Sequence, residues 1–237
     1  MIIADQLKYK EKKAVNEQIR QLQLELRNAQ MNQHFVFNVL ASIEYYLVKN
    51  NAQSARDYLK KFAQLIRQSL NNSRRKFISL EDDLATLKQY IELELFRLGN
   101  NHQFTIEVSD EIDASEILTQ PLLIQPFVEN AIKHGLRIRN KNCHLLIKIS
   151  KVENELLCIV QDDGAGRDKK PLRLNHACCG IAITQERLQY LHNCFQTKYA
   201  FQINDLKDKN GVSEGTSVHF TLPFVMKENV ELGDRGI

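Results

Sequence analysis

The first fifty residues constrain the fold most, because residues 4–49 contain neither proline nor glycine. Such a stretch favours one long helix, since these two residues interrupt helices most strongly. Apolar residues recur along it at spacings of three and four, as Ile19, Leu22, Leu26 and Ala29 and then as Val36, Leu40, Ile43 and Leu47. A narrow apolar seam of this kind indicates packing against partner helices. A chain that starts in such a seam is expected to be cut from a longer protein.

A second amphipathic helix is predicted after the break at Asn50-Asn51. Its apolar face consists of Ala55, Tyr58, Leu59, Phe62, Leu65, Ile66 and Leu70. Two helices joined by a short turn form a helical hairpin, and two hairpins form a four-helix bundle. The sequence therefore predicts a homodimer through a helical region at residues 1–75, with the polar residues 71–76 as a linker.

The hydrophobic pattern changes after this linker. Ser79 is expected to cap a helix over residues 80–98 that buries Leu84, Leu87, Ile91 and Leu95. Apolar residues then alternate at period two, which predicts strands at residues 104–108, 145–149, 157–161, 199–203 and 217–222. A further helix is predicted over residues 181–195. Strands covered by helices on one face predict a two-layer α/β sandwich over residues 76–226, with a tail at 227–237. The expected fold class is α+β.

Composition limits the classes of partner. A net charge of +3 is too small to indicate a nucleic-acid partner. The five cysteines lack CxxC or Cys/His ligand spacing, so reduced thiols are expected instead of a disulfide framework. No apolar run in the sequence approaches membrane-spanning length, which predicts a soluble chain.

Residues 120–135 carry the first chemically informative pattern. After Pro126 they predict a helix whose apolar face contains Phe127 and Val128 and whose C-cap is Gly135. The polar side contains Glu129, Asn130, Lys133 and His134. An Asn and a Lys three residues apart share a helical face, where the amide oxygen could hold a hydrated divalent metal and the ammonium could meet phosphate. An ordinary surface helix would have similar residues, so the functional interpretation depends on the segments that follow.

Those segments are rich in glycine and lie where strands and helices end. Residues 162–166, which include Asp162, Gly164 and Gly166, directly follow an apolar strand, where glycines permit a close approach to a ligand. A carboxylate at the end of a strand could accept a hydrogen bond from an exocyclic amine such as that of adenine. Residues 167–179 have the composition of a mobile lid, and Gly180 is expected to open the next helix, whose N-terminus suits phosphate. Gly215 and Thr216 enter the last strand, where an amide and a hydroxyl could reach phosphate.

In this order, residues 129–135, residues 162–166, Gly180 and Gly215-Thr216 resemble the N, G1, G2 and G3 boxes of the GHKL ATP-binding fold. Upstream, residues 32–38 resemble the phosphoacceptor box of LytS-type sensor histidine kinases. Residues 90–94 with Arg97, and residues 123–126, are similar to further segments of that family. The resemblance extends from about residue 26 to residue 223.

This resemblance implies a kinase core that uses ATP and Mg²⁺. Asn130 would ligate the metal, Lys133 and His134 would approach phosphate, and Asp162 would bind the adenine amine. Gly164, Gly166 and Gly180 would shape the pocket and the lid, and His34 would accept the γ-phosphoryl group. The group would then pass to an Asp on a response regulator. The chain would be a cytoplasmic domain, connected to a membrane only through an upstream sensor region.

Some positions depart from the family pattern or leave alternatives open. Gln33 replaces a Pro that usually precedes the His, and Ala182 replaces a common second Gly. Phe35 follows His34 where other histidine kinases have an acidic residue, so a neutral imidazole is expected to attack directly. His134 could instead cap its helix, and Glu129 could be a general base or could position Asn130 or water. Two other functions remain open: a GHKL ATPase, with Glu129 as the base for water, or a degenerate nucleotide-binding signalling scaffold.

Overall fold

The computed structural model describes residues 33–49, 51–98, 102–136, 142–166 and 177–228. The chain divides into two compact units: residues 1–76 with Lys88–Leu93, and Phe77–Leu87 with residues 94–237. The upstream part of the predicted seam, from Ile19 to Ala29, lies outside the described residues. We call the first the helical unit and the second the α/β unit.

In the helical unit, α1 spans Gln33–Val48 and α2 spans Ala52–Ser73. Asn51 begins α2, since its side chain accepts a hydrogen bond from the Ser54 amide at 3.1 Å. The predicted face of α2 is buried except at Leu70, which is half-buried. The helix continues three residues into the predicted linker, and Asn72 is itself buried. The expectation that the linker starts at residue 71 is wrong, because these polar residues complete the last turn of α2.

The buried side of α1 agrees only in part with the predicted seam. The seam residue Ile43 is buried together with Phe35 and Val39, whereas the seam residues Val36, Leu40 and Leu47 are half-buried within the single chain. The Phe35 ring lies 6.0 Å from the ring of Phe62 and 4.9 Å from that of Tyr90. An aromatic side chain removes a large apolar area from water, and this fixes the face that α1 presents within its own unit.

Helix α3, Leu80–Leu98, has the bounds that the sequence predicts. The Ser79 hydroxyl accepts a hydrogen bond from the Asp82 amide at 3.1 Å, which confirms Ser79 as the N-cap. The four predicted core residues of this helix are buried. Its central residues Lys88–Leu93 group with the helical unit, where the Tyr58 hydroxyl donates to the Leu93 carbonyl at 3.2 Å.

The remaining elements belong to the α/β unit. In chain order they are β1 Ile78–Ser79, β2 Gln103–Val108, β3 Ile117–Thr119, α4 Gln125–Asn130, β4 His144–Val152, β5 Glu155–Asp162, α5 Ala177–Phe195, β6 Phe201–Lys207, β7 Ser213–Pro223 and β8 Val225–Met226. Five of these strands form one sheet in the order β2-β4-β5-β7-β6, in which β2 and β4 are parallel and the other neighbours are antiparallel. Strands β4 and β5 form a hairpin, with Val152 opposite Glu155.

One face of the sheet is covered by helices. Its buried residues come from β4, β5 and β7, namely Leu145, Ile147, Ile149, Leu156, Cys158, Val160, Val218, Phe220 and Leu222. Phe127 of α4 packs on Phe220, with ring centroids 4.4 Å apart, and Leu188 of α5 is also buried. This two-layer arrangement after a helical region confirms the α+β class. The four-helix bundle of a dimer stays a prediction.

A second, three-stranded sheet in the order β1-β3-β8 was not predicted. Its strands contain only two or three residues, which is too short to show a period-two pattern. This small sheet leads directly into residues 120–125, where α4 begins. Over the described residues, no helix has both the length and the apolar character needed to cross a membrane.

Candidate functional site

Helix α4 holds the two polar residues that begin the candidate site. Pro126 lies in its first turn, where the missing amide hydrogen removes no helical hydrogen bond. The Asn130 Nδ2 group donates to the Pro126 carbonyl at 2.6 Å, so Oδ1 is the atom of this amide that can ligate a cation. The Gln125 Nε2 group donates to Glu129 Oε1 at 2.9 Å, which orients this carboxylate along α4.

A π-helical turn, Ala131–Leu136, continues the chain after α4. Gly135 lies inside this turn and is not among the glycines with positive φ, so the predicted C-cap is wrong. Gly135 is required for another reason: a Cβ at this position would overlap Oδ1 of Asp162. The missing side chain therefore lets the backbone of the turn lie directly against this carboxylate.

Asp162 is the last residue of β5 and is only 3% exposed. Its Oδ1 accepts a hydrogen bond from the Gly164 amide at 3.0 Å. Burial raises the pKa of Asp162 to about 6, an effect that the Gly164 amide opposes and the neighbouring Asp163 carboxylate increases. The group is thus ionised at pH 7 but poorly hydrated. A carboxylate in this state favours a ligand that donates hydrogen bonds.

The adjacent Asp163 has a different environment. It is exposed, and its Oδ1 accepts a hydrogen bond from the His144 amide at 2.6 Å. The Asp163 amide donates in return to the His144 carbonyl at 3.3 Å. Asp163 thus joins the end of β5 to the start of β4. The two aspartates of this segment are therefore separated by role, and Asp162 is the one that faces the glycines.

Strand β7 closes the other side of Asp162. Thr216 lies opposite Asp162 in the β5–β7 ladder. Gly215 has a φ of 132°, a backbone conformation that residues with a side chain rarely adopt. A Cβ on Gly215 would overlap the Asp162 carbonyl, and one on Gly164 would overlap the Gly135 backbone. The Ala165 amide also donates to the Gly135 carbonyl at 3.2 Å. We call Gly135, Asp162, Gly164 and Gly215 the glycine cradle, because the backbone of three chain segments meets there around the Asp162 side chain.

Gly166 extends this cradle toward Ser213. Its φ is 66°, and a Cβ there would overlap the Ser213 hydroxyl. That hydroxyl oxygen is buried and has no hydrogen-bond partner in the part of the chain that the structure describes. Ser213 was missed in the sequence because a single serine before Gly215 has no distinguishing pattern.

Lys133 and His134 lie on the π-helical turn. Lys133 is exposed, whereas His134 is half-buried. Burial, and secondly the Lys133 charge, lowers the pKa of His134, which favours the neutral imidazole. Its Nε2 atom is buried without a hydrogen-bond partner among the described residues. Of the two residues, Lys133 is therefore better suited to meet phosphate as a cation.

Gly180 lies in the first turn of α5 and does not open it, because the helix begins at Ala177. A Cβ on Gly180 would meet open space, unlike one on the cradle glycines. The Gly180 carbonyl accepts a hydrogen bond from the Thr184 hydroxyl at 2.8 Å. Most of the predicted lid, residues 167–176, lies outside the described residues, so the role of Gly180 stays a prediction.

His34 lies in the first turn of α1, and its side chain lies outside what the structure describes. The next residue, Phe35, is buried against the rings of Phe62 and Tyr90. The helix around His34 is thus anchored by its neighbour. The role of His34 as phosphoacceptor stays a prediction.

The residues present fit a metal ion that arrives with a nucleotide. Among the described residues, no group of three or more His, Cys, Asp or Glu side chains could hold a metal ion. Mg²⁺ bound with a nucleotide needs few protein ligands, since phosphates and water supply most of its oxygens. The Asn130 Oδ1 atom suits this limited role.

Two further residues were missed in the sequence, Asp83 on α3 and Arg187 on α5. Asp83 is buried, and its Oδ1 accepts a hydrogen bond from the Leu122 amide at 3.0 Å. The Arg187 Nη2 group donates to the Gln120 side chain at 3.2 Å and to the Pro121 carbonyl at 3.1 Å. Asp83 could have been noticed as a charge one position before Leu84 on a buried helix face, but its partners are far away in sequence.

Comparison with known proteins identifies the relatives of this chain. The family model described as Histidine kinase matches residues 22–102, which include His34. Sensor protein LytS from Staphylococcus saprophyticus is 30% identical over 231 residues, which cover 94% of this chain. Sensor histidine kinase/phosphatase LytS from Staphylococcus aureus (strain Mu50) is 27% identical over 235 residues, which cover 96% of this chain.

The chain belongs to the LytS-type histidine kinases. It covers 37% of the length of the first relative and 38% of the second. Among solved structures, the histidine kinase domain of the blue-light activated histidine kinase from Erythrobacter litoralis EL346 aligns at 15% identity with a TM-score of 0.48. That alignment covers 93% of this chain and 97% of that one.

Proposed function

We propose that this chain is the ATP-dependent core of a sensor histidine kinase. It binds ATP, transfers the γ-phosphoryl group to His34 and passes that group to an Asp on a response regulator. The observation that carries the proposal is the glycine cradle, in which a buried, ionised Asp162 has backbone from three segments around it. Besides the hydrogen bonds from the Gly164 and Thr216 amides, such a carboxylate can accept one from a ligand, and the exocyclic amine of adenine is a suitable donor.

The phosphate end of the nucleotide is assigned to α4 and its continuation. Lys133 is an exposed cation that can meet phosphate, and the Asn130 Oδ1 atom can ligate Mg²⁺. When bound, Mg²⁺ supplies neutralisation of charge on the β- and γ-phosphates. Thr216, opposite Asp162 across the β5–β7 ladder, offers a further hydroxyl at the same edge. Glu129, oriented by Gln125, positions Asn130 or water near this end.

The transfer forms a bond between a His34 ring nitrogen and the γ-phosphorus as the bond to the bridging β–γ oxygen breaks, and ADP leaves. The transfer depends mainly on positioning and charge stabilisation, so a neutral imidazole suffices as the nucleophile. We place the chain on the cytoplasmic side of a membrane-anchored sensor, as a homodimer through α1 and α2. The half-buried seam residues Val36, Leu40 and Leu47 are available for that dimer.

Incubation with γ-labelled ATP and Mg²⁺ tests the proposal. Wild-type protein is expected to acquire acid-labile label, and His34→Gln to acquire none while binding ATP with unchanged affinity. Asn130→Ala is expected to lose label with His34 intact, because the metal ligand is gone. His102→Gln serves as the control, since His102 is engaged with the Cys143 amide at 3.3 Å and should label as wild type does.

The same assay separates the alternatives. Free phosphate without protein label would indicate a GHKL ATPase with Glu129 as base, and neither product would indicate a nucleotide-binding scaffold. Label that maps to a residue other than His34 would contradict the assignment of α1. Mixed dimers of His34→Gln and Asn130→Ala chains regain label only if transfer occurs between subunits.

A further inference from the structure

Leu122, three residues before α4, has an unusual backbone. Its φ is 65°, in the left-handed region that leucine rarely adopts. A non-glycine residue held there is strained, so surrounding contacts must impose the conformation. One such contact is the hydrogen bond from the Leu122 amide to Asp83 Oδ1 at 3.0 Å. Asp83 is 4% exposed, so this bond is protected from water.

Arg187 holds the same segment from another helix. Its guanidinium donates to two consecutive residues, Gln120 and Pro121, directly before Leu122. Three successive residues are therefore fixed by an acid on α3 and a base on α5, about a hundred residues apart in sequence. Burial raises the pKa of Asp83 to about 6, while the Leu122 amide and the Arg187 charge oppose this rise. The two charges thus stabilise one another across the segment that they hold.

We propose that Asp83 and Arg187 are positioning residues for the nucleotide site. They fix residues 120–122, and this segment in turn sets where α4 begins and hence where Asn130 lies. We call this arrangement the Asp83–Arg187 clamp. Neither residue is assigned a contact with the nucleotide. The inference rests on the proposed function, because it names what holds the metal-binding helix in place.

The location of the clamp explains why charge is used there. Residues 120–122 connect β3 of the small sheet to α4, and a connection between two elements tolerates movement more readily than the elements do. Asn130 follows Leu122 by eight residues, and metal and phosphate contacts are sensitive to small displacements. A buried acid and a base with directed hydrogen bonds define position more narrowly than apolar packing.

The test uses the whole chain and three variants at the clamp. Asp83→Ala removes the acceptor, Asp83→Asn keeps an oxygen but removes the charge, and Arg187→Lys keeps the charge but not the two directed bonds. Asp82→Ala is the matched control, because Asp82 is the adjacent aspartate of α3 and is exposed. Three quantities are measured: amide exchange at Leu122, the dissociation constant for Mg²⁺-ATP, and the melting temperature.

Asp83→Ala is expected to speed Leu122 exchange and to raise the ATP dissociation constant about tenfold, corresponding to one lost charged hydrogen bond. Asp83→Asn and Arg187→Lys should give smaller changes in the same direction, and Asp82→Ala should give none. If Asp83→Ala does not fold, Asp83→Asn and Arg187→Lys provide the test of the proposal. A lower melting temperature with unchanged ATP affinity, measured well below that temperature, would reduce the clamp to a structural role and overturn the proposal.

The measurements that would contradict the proposed function differ from those that would contradict the clamp. If the proposed function is wrong, the wild-type chain would bind no ATP, or would bind it without labelling His34. Leu122 exchange needs no nucleotide, so it still reports whether Asp83 holds the segment. Fast exchange at Leu122 in the wild-type chain would overturn the clamp even if ATP binds.

Discussion

Two buried aspartates of the α/β unit, Asp83 and Asp162, have a pKa raised to about 6, first of all by burial. Their other neighbours differ. The Arg187 guanidinium lowers the pKa of Asp83, whereas the Asp163 carboxylate raises that of Asp162 further. The cation that balances the Asp83 charge is thus a side chain of the protein itself, that of Arg187. Among the described residues, Asp162 has only backbone donors, the Gly164 and Thr216 amides among them, and a second negative charge nearby. Under the proposed function, Asp83 is the buried charge that holds structure and Asp162 is the one that binds the ligand.

The largest expected effect comes from filling the cradle. Gly164→Ala places a Cβ into the Gly135 backbone, so two chain segments must separate. Overpacking of this kind costs about 1–3 kcal/mol, and the shift moves the Gly164 amide away from Asp162. We expect a lower melting temperature together with loss of measurable ATP binding. Thermal unfolding and calorimetric titration check both results.

Gly180→Ala is the contrasting substitution for stability. Its Cβ meets open space within α5, so the helix should gain about 0.5–1 kcal/mol from the reduced backbone freedom of the unfolded chain. If both glycine variants lost stability equally, steric closeness in the cradle would not be the reason for Gly164.

The next largest expected effect is on recognition of the nucleotide base, and it lowers the affinity for ATP more than that for GTP. Asp162→Asn removes the charge that would accept the adenine amine, at a cost of about 1.5–3 kcal/mol in ATP binding. GTP presents a carbonyl at the corresponding position, so its weaker binding should change far less. Asp163→Asn is the matched control, because it removes the neighbouring carboxylate, whose Oδ1 accepts a hydrogen bond from the His144 amide. Equal ATP affinity of Asp162→Asn and wild type, by calorimetry, would remove Asp162 from the adenine site.

The cradle could be predicted because its elements are local in sequence. Glycines directly after an apolar strand, and Gly215-Thr216 at the entry to the last strand, were the basis for predicting a ligand site, and β5 and β7 bring these segments together. The choice of Asp162 over Asp163 came from the resemblance to the GHKL boxes, and not from the pattern of apolar residues. The detailed reason for Gly135 could not be predicted, since it depends on a π-helical turn that meets Asp162 across the fold.

The clamp could not be predicted because its members are distant in sequence. Asp83 looks like an ordinary helix residue, and Arg187 looks like a surface charge, until α3, α5 and residues 120–122 are brought together. The same limitation applies to the face of α1. A seam through Val36 and Leu40 fits helical spacing, but Phe35 forms larger contacts one position away. Tertiary packing, and not helical period, selects between two such faces.

The smallest effect is a difference in pH dependence. In the absence of ligand the two aspartates should behave alike. Each has a folded-state pKa of about 6, above the ordinary value of 3.8, so the folded protein binds protons more tightly than the unfolded chain. The stability that each contributes is therefore fully present below about pH 4 and is lost as pH rises through about 6. Asp83→Asn and Asp162→Asn should each flatten this decline in the free energy of unfolding, measured by denaturant titration.

ATP should separate the two aspartates. An amine donor needs the ionised form of Asp162, so ATP affinity should rise by about tenfold between pH 5 and pH 7 in the wild-type chain, as a group with a pKa near 6 ionises. Asp83→Asn should keep most of this rise, because the acid that faces the ligand is still present. Asp162→Asn should lose it, leaving only the titration of the nucleotide itself. If Asp83→Asn and Asp162→Asn lost the rise equally, the distinction between a structural and a ligand-binding aspartate would be wrong, since either charge would then control the site.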